Sequence, residues 1–148
     1  MNVSPGHSDQ TIQKLLEWLE DLHPRRAGGV HPLGPVNSVA SAGRAGVPVL
    51  VSALKEGSDP VRKLAALVLG DMGPEARAAV PALIEALHDG HDDVRRRAAV
   101  ALGEIGGEAR AAVPALLAAM QDAHAGVRKM AAWALGEITP RTSWSRAA

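Results

Sequence analysis

Residues Glu75 to Leu83, Glu-Ala-Arg-Ala-Ala-Val-Pro-Ala-Leu, recur without a change as Glu108 to Leu116. The offset is 108 − 75 = 33 residues. Identity over nine positions at a fixed offset marks a chain built from copies of one unit, and periods between about 20 and 50 residues belong to solenoids. The residue types available narrow this further. Hydrophobic residues make up 47% of the 148, with no Phe, no Tyr and three Trp, so the core must be Ala, Leu and Val with a little Ile and Met. Ala and Leu are the strongest helix formers, and small side chains let helix backbones approach closely. The fold class expected is therefore all-α: a short α-solenoid of antiparallel helix pairs.

Sixteen basic and sixteen acidic residues cancel, which removes the global positive field that nucleic-acid or anionic-membrane binding uses. Without cysteine there is no disulfide, thiolate nucleophile or Cys-bound metal. Met1 to Gln10 has no apolar core of a secretory leader, and no apolar run reaches the ~18 residues of a membrane span, so a cytoplasmic protein is expected.

Read in order, residues 1–8 form an aperiodic lead. Residues 9–23 carry Ile12, Leu15, Leu16, Leu19 and Leu22 on one face of a capping helix that Pro24 stops. Residues 24–42, with Pro24, Gly28, Gly29, Pro32, Gly34 and Pro35, read as loop replacing the front of a degenerate first copy. Its rear survives, because Arg44, Val47, Pro48 and Leu50 stand 33 before Arg77, Val80, Pro81 and Leu83. The repeat array then runs over 43–138, and 139–148 is a tail. Asp59-Pro60 is expected to act as N-cap and first helical residue. Val61, Ala65, Val68, Leu69 and Met72 form one helical seam, repeated at Val94, Ala98, Ala101, Leu102 and Ile105 and again at Val127, Ala131, Ala134, Leu135 and Ile138. Gly70, Gly103 and Gly136 recur late in these helices, where each costs roughly 1 kcal/mol against Ala, which suggests another backbone close by. The second helix of each unit turns inward Val80, Leu83, Ile84 and Leu87, then Val113, Leu116, Leu117 and Met120. Pro81 and Pro114 either open these helices or kink them, leaving Glu75 to Ala79 as a preceding turn. The last unit has a first helix and no recognisable second one. Trp144 folding back, a second molecule or further sequence must cover its apolar flank.

Asp59-Pro60-Val61-Arg62, Leu69-Gly70-Asp71-Met72-Gly73 and Val80-Pro81-Ala82-Leu83-Ile84-Glu85-Ala86-Leu87 resemble the HEAT-like repeat first recognised in phycobilisome lyases. Asp92-Asp93-Val94-Arg95, Leu102-Gly103-Glu104-Ile105-Gly106 and Val113-Pro114-Ala115-Leu116-Leu117 resemble it again. The resemblance implies first helices on a convex side, second helices on a concave side, and use as an interaction scaffold.

Several columns of equivalent residues are candidates for function. Arg62, Arg95 and Arg128 share one slot near Asp59, Asp92 and Ala125, and form either a structural Asp/Arg ladder or an anion-binding rail. Arg44, Arg77 and Arg110 open the second helices, while Glu56, Asp89 and Asp122 follow their ends. Neither column suits the helix dipole, so the two either pair with each other between units, stay simply solvated, or line a charged binding strip along the concave edge. Leu64, Arg97 and Met130 share a slot, as do Leu67, Val100 and Trp133, all directed away from the seam. Met130 and Trp133 form an exposed contact patch unless Trp144 and the tail cover them. The run His88 to Asp93 with Asp122 and His124 has metal-like spacing, but it lies in an inter-helix loop where such residues cap and turn, and no metal or cofactor is expected.

These readings favour a non-enzymatic scaffold that binds a segment of a partner protein on the concave face. Arg44, Arg77, Arg110 and Glu85 would orient that segment, over small residues such as Ala78, Ala82, Ala111 and Ala115. A homodimer through the C-terminal end is a second expectation. The alternatives are a bilin-lyase-type subunit or chaperone, implied only by the resemblance, and a DNA-binding HEAT-like module, which the balanced charge disfavours.

Overall fold

The computed structural model describes residues 46–140. The capping helix expected over 9–23, the loop at 24–42, Arg44 and the tail beyond Pro140 with Trp144 lie outside the described residues.

Six α-helices occur in the order α1 (Val47–Glu56), α2 (Asp59–Met72), α3 (Val80–Ala86), α4 (Asp92–Ile105), α5 (Val113–Ala119) and α6 (Ala125–Ile138) among the described residues. α2, α4 and α6 are the first helices of successive units; α1, α3 and α5 are the second helices. A 3₁₀ segment precedes α3 (Gly73–Ala79) and α5 (Gly106–Ala112). Pro81 and Pro114 thus sit in the first turn of their helices, where a missing N–H leaves no internal bond unmade. The nine-residue identity spans the 3₁₀ segment and the helix start in each unit. Gly73 and Gly106 enter the 3₁₀ segments at φ 61° and 74°, a conformation that strains any residue with a Cβ. That geometry reverses the chain within a single residue.

α4 packs most extensively on α2 and α6, so first helix stacks on first helix along the array. The seam is buried as expected at Val61, Ala65, Leu69, Val94, Ala98, Leu102, Val127, Ala131 and Ile138. Alanines fill the space between layers, with Ala76, Ala79, Ala109 and Ala112 of the 3₁₀ segments fully buried. Small residues at the contact bring the helices close. A Cβ on Gly70 would stand 3.1 Å from the Cα of Ala101, and one on Gly103 would stand 3.0 Å from the Cα of Ala134. The Trp133 ring also lies over Gly103, and the Glu104 carboxylate over Gly70. A Cβ on Gly136, by contrast, would meet nothing within 4 Å among the described residues.

Three expectations are corrected. The N-cap of α2 is Ser58, with Asp59 inside the helix and Pro60 in its first turn. No side-chain cap bond forms there, and Asp59 turns outward to Arg62 and His91. Leu117 and Met120 do not point inward: they are 54% and 38% exposed, whereas Ile84 is half-buried and Leu87 buried in the preceding unit. Those earlier positions are closed by the following layer, which α5 lacks among the described residues. Met130 is half-buried against the core, while Trp133 remains 40% exposed. No helix among the described residues is long and apolar enough to cross a membrane.

Substitutions at the repeated glycines should separate by position. Gly103→Ala should destabilise the protein by about 1–2 kcal/mol in urea unfolding, as overpacking against α6 outweighs the gain in helix propensity. Gly136→Ala, where an added methyl meets nothing among the described residues, should stabilise by roughly 0.5–1 kcal/mol at low micromolar protein.

Candidate functional site: an arginine ladder beside an open second-helix face

Where each second helix ends, the chain must turn and enter the next first helix, leaving loop carbonyls and a carboxylate near the layer boundary. Arg62 Nε and Nη2 grip Asp89 bidentately, at 2.8 Å to Oδ2 and 3.1 Å to Oδ1. Arg95 repeats the grip on Asp122 at the same distances, 2.8 and 3.1 Å. The third nitrogen, Nη1, donates backward at 2.8 Å in both cases, from Arg62 to the Gly57 carbonyl and from Arg95 to the Asp89 carbonyl. Asp89 therefore receives one arginine on its side chain and the next on its backbone. At Asp89 the forward step from Arg62 is 27 residues and the backward step from Arg95 is 6, which sum to the 33-residue period, whereas Arg62 reaches back 5 residues to Gly57. Backbone N–H groups complete the cradle, His91 donating to Asp89 Oδ1 at 3.0 Å and His124 to Asp122 Oδ1 at 2.8 Å.

A second, more exposed ladder runs alongside. His91 Nε2 lies 2.8 Å from Asp59 Oδ2, and His124 Nε2 lies 3.0 Å from Asp92 Oδ2. The Nδ1 of His124 accepts from the Gly126 N–H at 3.2 Å, so Nε2 is the nitrogen that donates to Asp92. The run His88 to Asp93 and its repeat at Asp122 and His124 thus supply turn and ladder partners.

The Asp/Arg reading of the Arg62 column holds, but the main acceptors are Asp89 and Asp122, not the nearer Asp59 and Asp92. This corrects the expected pairing of the Arg77/Arg110 column with the Asp89/Asp122 column. Asp89 and Asp122 point to the first-helix arginines because the loop carries them to the layer boundary. Arg77 and Arg110 are exposed and make no hydrogen bond or ion pair among the described residues. They sit on 3₁₀ segments that touch each other across the layer. Glu85, also exposed, faces Lys55 at 3.9 Å, a solvated pair worth little by itself. Between α1 and α3 these two flank an open cleft of about 350 Å³ lined by Leu54, Arg62, Ala82, Ala86 and Asp89. Ala78 and Ala111 are exposed and Ala115 half-buried beside this face, but Ala82 is buried in the core. Arg97, in the slot of Leu64 and Met130, has its Nε buried without a hydrogen-bond partner among the described residues.

Ladder acids are held in their charged form. Burial pushes the Asp89 carboxyl up, but the Arg62 hydrogen bonds and the His91 N–H outweigh it and leave the group below its ordinary value. For Asp122 the Arg95 hydrogen bond is the largest influence, with the same outcome. Arg62 and Arg95 are correspondingly raised, chiefly by hydrogen bonds to Asp89 and Asp122. Glu104 moves the other way: desolvation where its carboxylate leans on the neighbouring helix raises it, and Asp71 adds repulsion.

Two experiments follow. Arg95→Ala should cost about 2–3 kcal/mol in urea unfolding, since it orphans the largely buried Asp122, whereas Arg128→Ala should cost under about 1 kcal/mol. For pH, a carboxyl lowered in the folded state stabilises above its unfolded value, near 4, and loses that contribution as pH falls through the folded value. The contribution of Asp89 and Asp122 to the melting temperature should therefore be constant from about pH 7 to 5 and be lost below about pH 4, a drop that the Asp89→Asn/Asp122→Asn variant should not show. Glu104 has the opposite sign, so Glu104→Gln should slightly raise the melting temperature at neutral pH, with the gain vanishing below about pH 4.

A family model for HEAT repeats matches residues 47–113 and, in a second overlapping match, residues 80–146. The two matches begin 80 − 47 = 33 residues apart, the same step as the nine-residue identity and the ladder. A comparison with curated proteins finds no match. Stacked first helices, proline-opened second helices, a one-unit shift between matches and cover of well over half the chain agree on one conclusion: this protein belongs to the HEAT-repeat family.

Proposed function

We propose that this chain is a non-enzymatic scaffold that holds a segment of a partner protein on the face formed by its second helices and 3₁₀ segments. One observation carries the reading. The arginine column at the layer boundaries is engaged through Arg62 and Arg95, whereas Arg77 and Arg110 project into solvent with no acceptor among the described residues. A cation without a structural partner, repeated one period apart, suits an extended acidic segment lying along the array axis. Ala78 and Ala111, adjacent and exposed, leave room for that segment's backbone to come close. Glu85 and Lys55 at the neighbouring cleft add a charge pair that sets direction.

Residues 47–56, 80–87 and 113–120 contain no Trp, Phe or Tyr, so a flat conjugated ligand such as a bilin gains no stacking on this face. Balanced net charge likewise gives no general attraction for DNA. The scaffold reading needs neither.

Site-specific photocrosslinking tests it. A photoreactive residue at Ala78 or Ala111 of the full chain should give one discrete adduct in cells, and the same group at Asp71 on α2 should not. The double variant Arg77→Glu/Arg110→Glu should abolish the adduct while leaving the melting temperature unchanged. Equal labelling from α2, or an adduct indifferent to the double variant, would rule the reading out.

A further inference from the structure

Arg77 and Arg110 are one of two charged rows on the 3₁₀ segments. Side chains three apart eclipse in a 3₁₀ helix, so each segment has three edges. Ala76 and Ala79, then Ala109 and Ala112 one period on, turn the first edge into the core and are fully buried. The second edge carries Pro74 and Arg77, repeated as Gly107 and Arg110, and all four are exposed. The third carries Glu75 and Ala78, repeated as Glu108 and Ala111, and these are exposed as well. Like the two arginines, Glu75 and Glu108 make no hydrogen bond or ion pair among the described residues. A basic row and an acidic row therefore run side by side along the array, each without a structural partner.

The step of these rows limits what can follow them. Packed helices stand about 8–10 Å apart, and small residues at the contact favour the short end of that range. The contact here is of that kind, since a Cβ on Gly70 would stand 3.1 Å from the Cα of Ala101. A β-strand laid along the rows returns a side chain to the same side every ~6.8 Å, and loses register by the next layer. An α-helix returns one at about 5.4 Å or, over seven residues, about 10.5 Å, and both fall outside the range. A polyproline-type stretch has three residues per turn and repeats each side every ~9.3 Å, which falls within it. Its three sides also match the surface: one for each charged row and one for solvent.

We infer that the segment held on this face is a polyproline-type stretch with a three-residue charge repeat. One residue of each triplet is acidic and meets Arg77 or Arg110, another is basic and meets Glu75 or Glu108, and the third faces water. Exchanging the acidic and basic sides requires turning the segment end for end, so the two rows fix its direction. This inference rests on the scaffold reading and narrows its acidic segment to one that carries bases on its other side.

Fluorescence anisotropy of labelled synthetic peptides with the full chain tests it, at about 50 mM salt to limit screening. Four tandem copies of Glu-Pro-Lys should bind at least about tenfold tighter than six tandem copies of Glu-Lys, which place more charge at the wrong spacing. They should also bind several-fold tighter than four copies of Glu-Pro-Gln. Glu75→Gln/Glu108→Gln, at exposed positions, should leave the melting temperature unchanged and erase the difference between the Lys and Gln peptides. Equal binding of the two-residue repeat, or a Lys-to-Gln difference that is absent from the start or survives in the Glu75/Glu108 variant, would overturn the inference. If no peptide binds while the crosslink from Ala78 is still lost in Arg77→Glu/Arg110→Glu, the inference falls and the scaffold reading stands. A crosslink indifferent to that variant removes both.

Discussion

Arg62 and Arg95 each reach forward to a carboxylate in the next inter-unit loop and backward to a carbonyl in the loop before their own helix, and this two-way grip fixes the step of the array. Arg62, Asp89, Arg95, Asp122 and Arg128 form one continuous chain of donors and acceptors. A partly buried bidentate arginine–carboxylate pair contributes on the order of 1.5–3 kcal/mol, whereas exposed pairs such as Lys55–Glu85 and Lys63–Asp93 contribute about 0–1. The ladder therefore selects register, while apolar burial supplies most of the stability. Slippage of one layer by a single residue would separate Arg95 from Asp122 and move Gly103 away from Ala134 together.

Such an array is quasi-one-dimensional: each layer is held by its neighbours, and a layer with one neighbour is held less. α6 shows the consequence residue by residue. Its inner side is as buried as that of α4, and its outer side exposes the residues that α4 buries. Among the described residues no layer follows α6, and there Arg128 bonds carbonyls only. The second-helix face, by contrast, offers a surface repeated in each unit.

Much of this was legible in the letters. A 33-residue identity, the apolar seam and the repeated glycines give the layers, because stacking requires the same shape at the same slot in every unit. The ladder was legible as a column of arginines but its acceptors were not, because a bond spanning 27 residues depends on where the loop after the second helix travels. A signal was present: Asp89 and Asp122 repeat with the period as strictly as the arginines do. Leu117 and Met120 read as core because Ile84 and Leu87 do, yet among the described residues no further layer closes over them. Trp133 shows the limit of single slots. Its position predicts exposure, yet part of its ring covers Gly103, a contact that depends on an adjacent layer having no side chain there.

The central claim is that the inter-unit arginine–carboxylate grip couples adjacent layers. A double-mutant cycle on Arg95 and Asp122, using Ala and Asn and read by urea unfolding at pH 7, measures that coupling free of other contributions. A coupling of about 1.5 kcal/mol or more is predicted for this partly buried bidentate pair. A value below about 0.5 kcal/mol, no larger than exposed surface pairs give, would contradict it and leave apolar stacking alone to set the register.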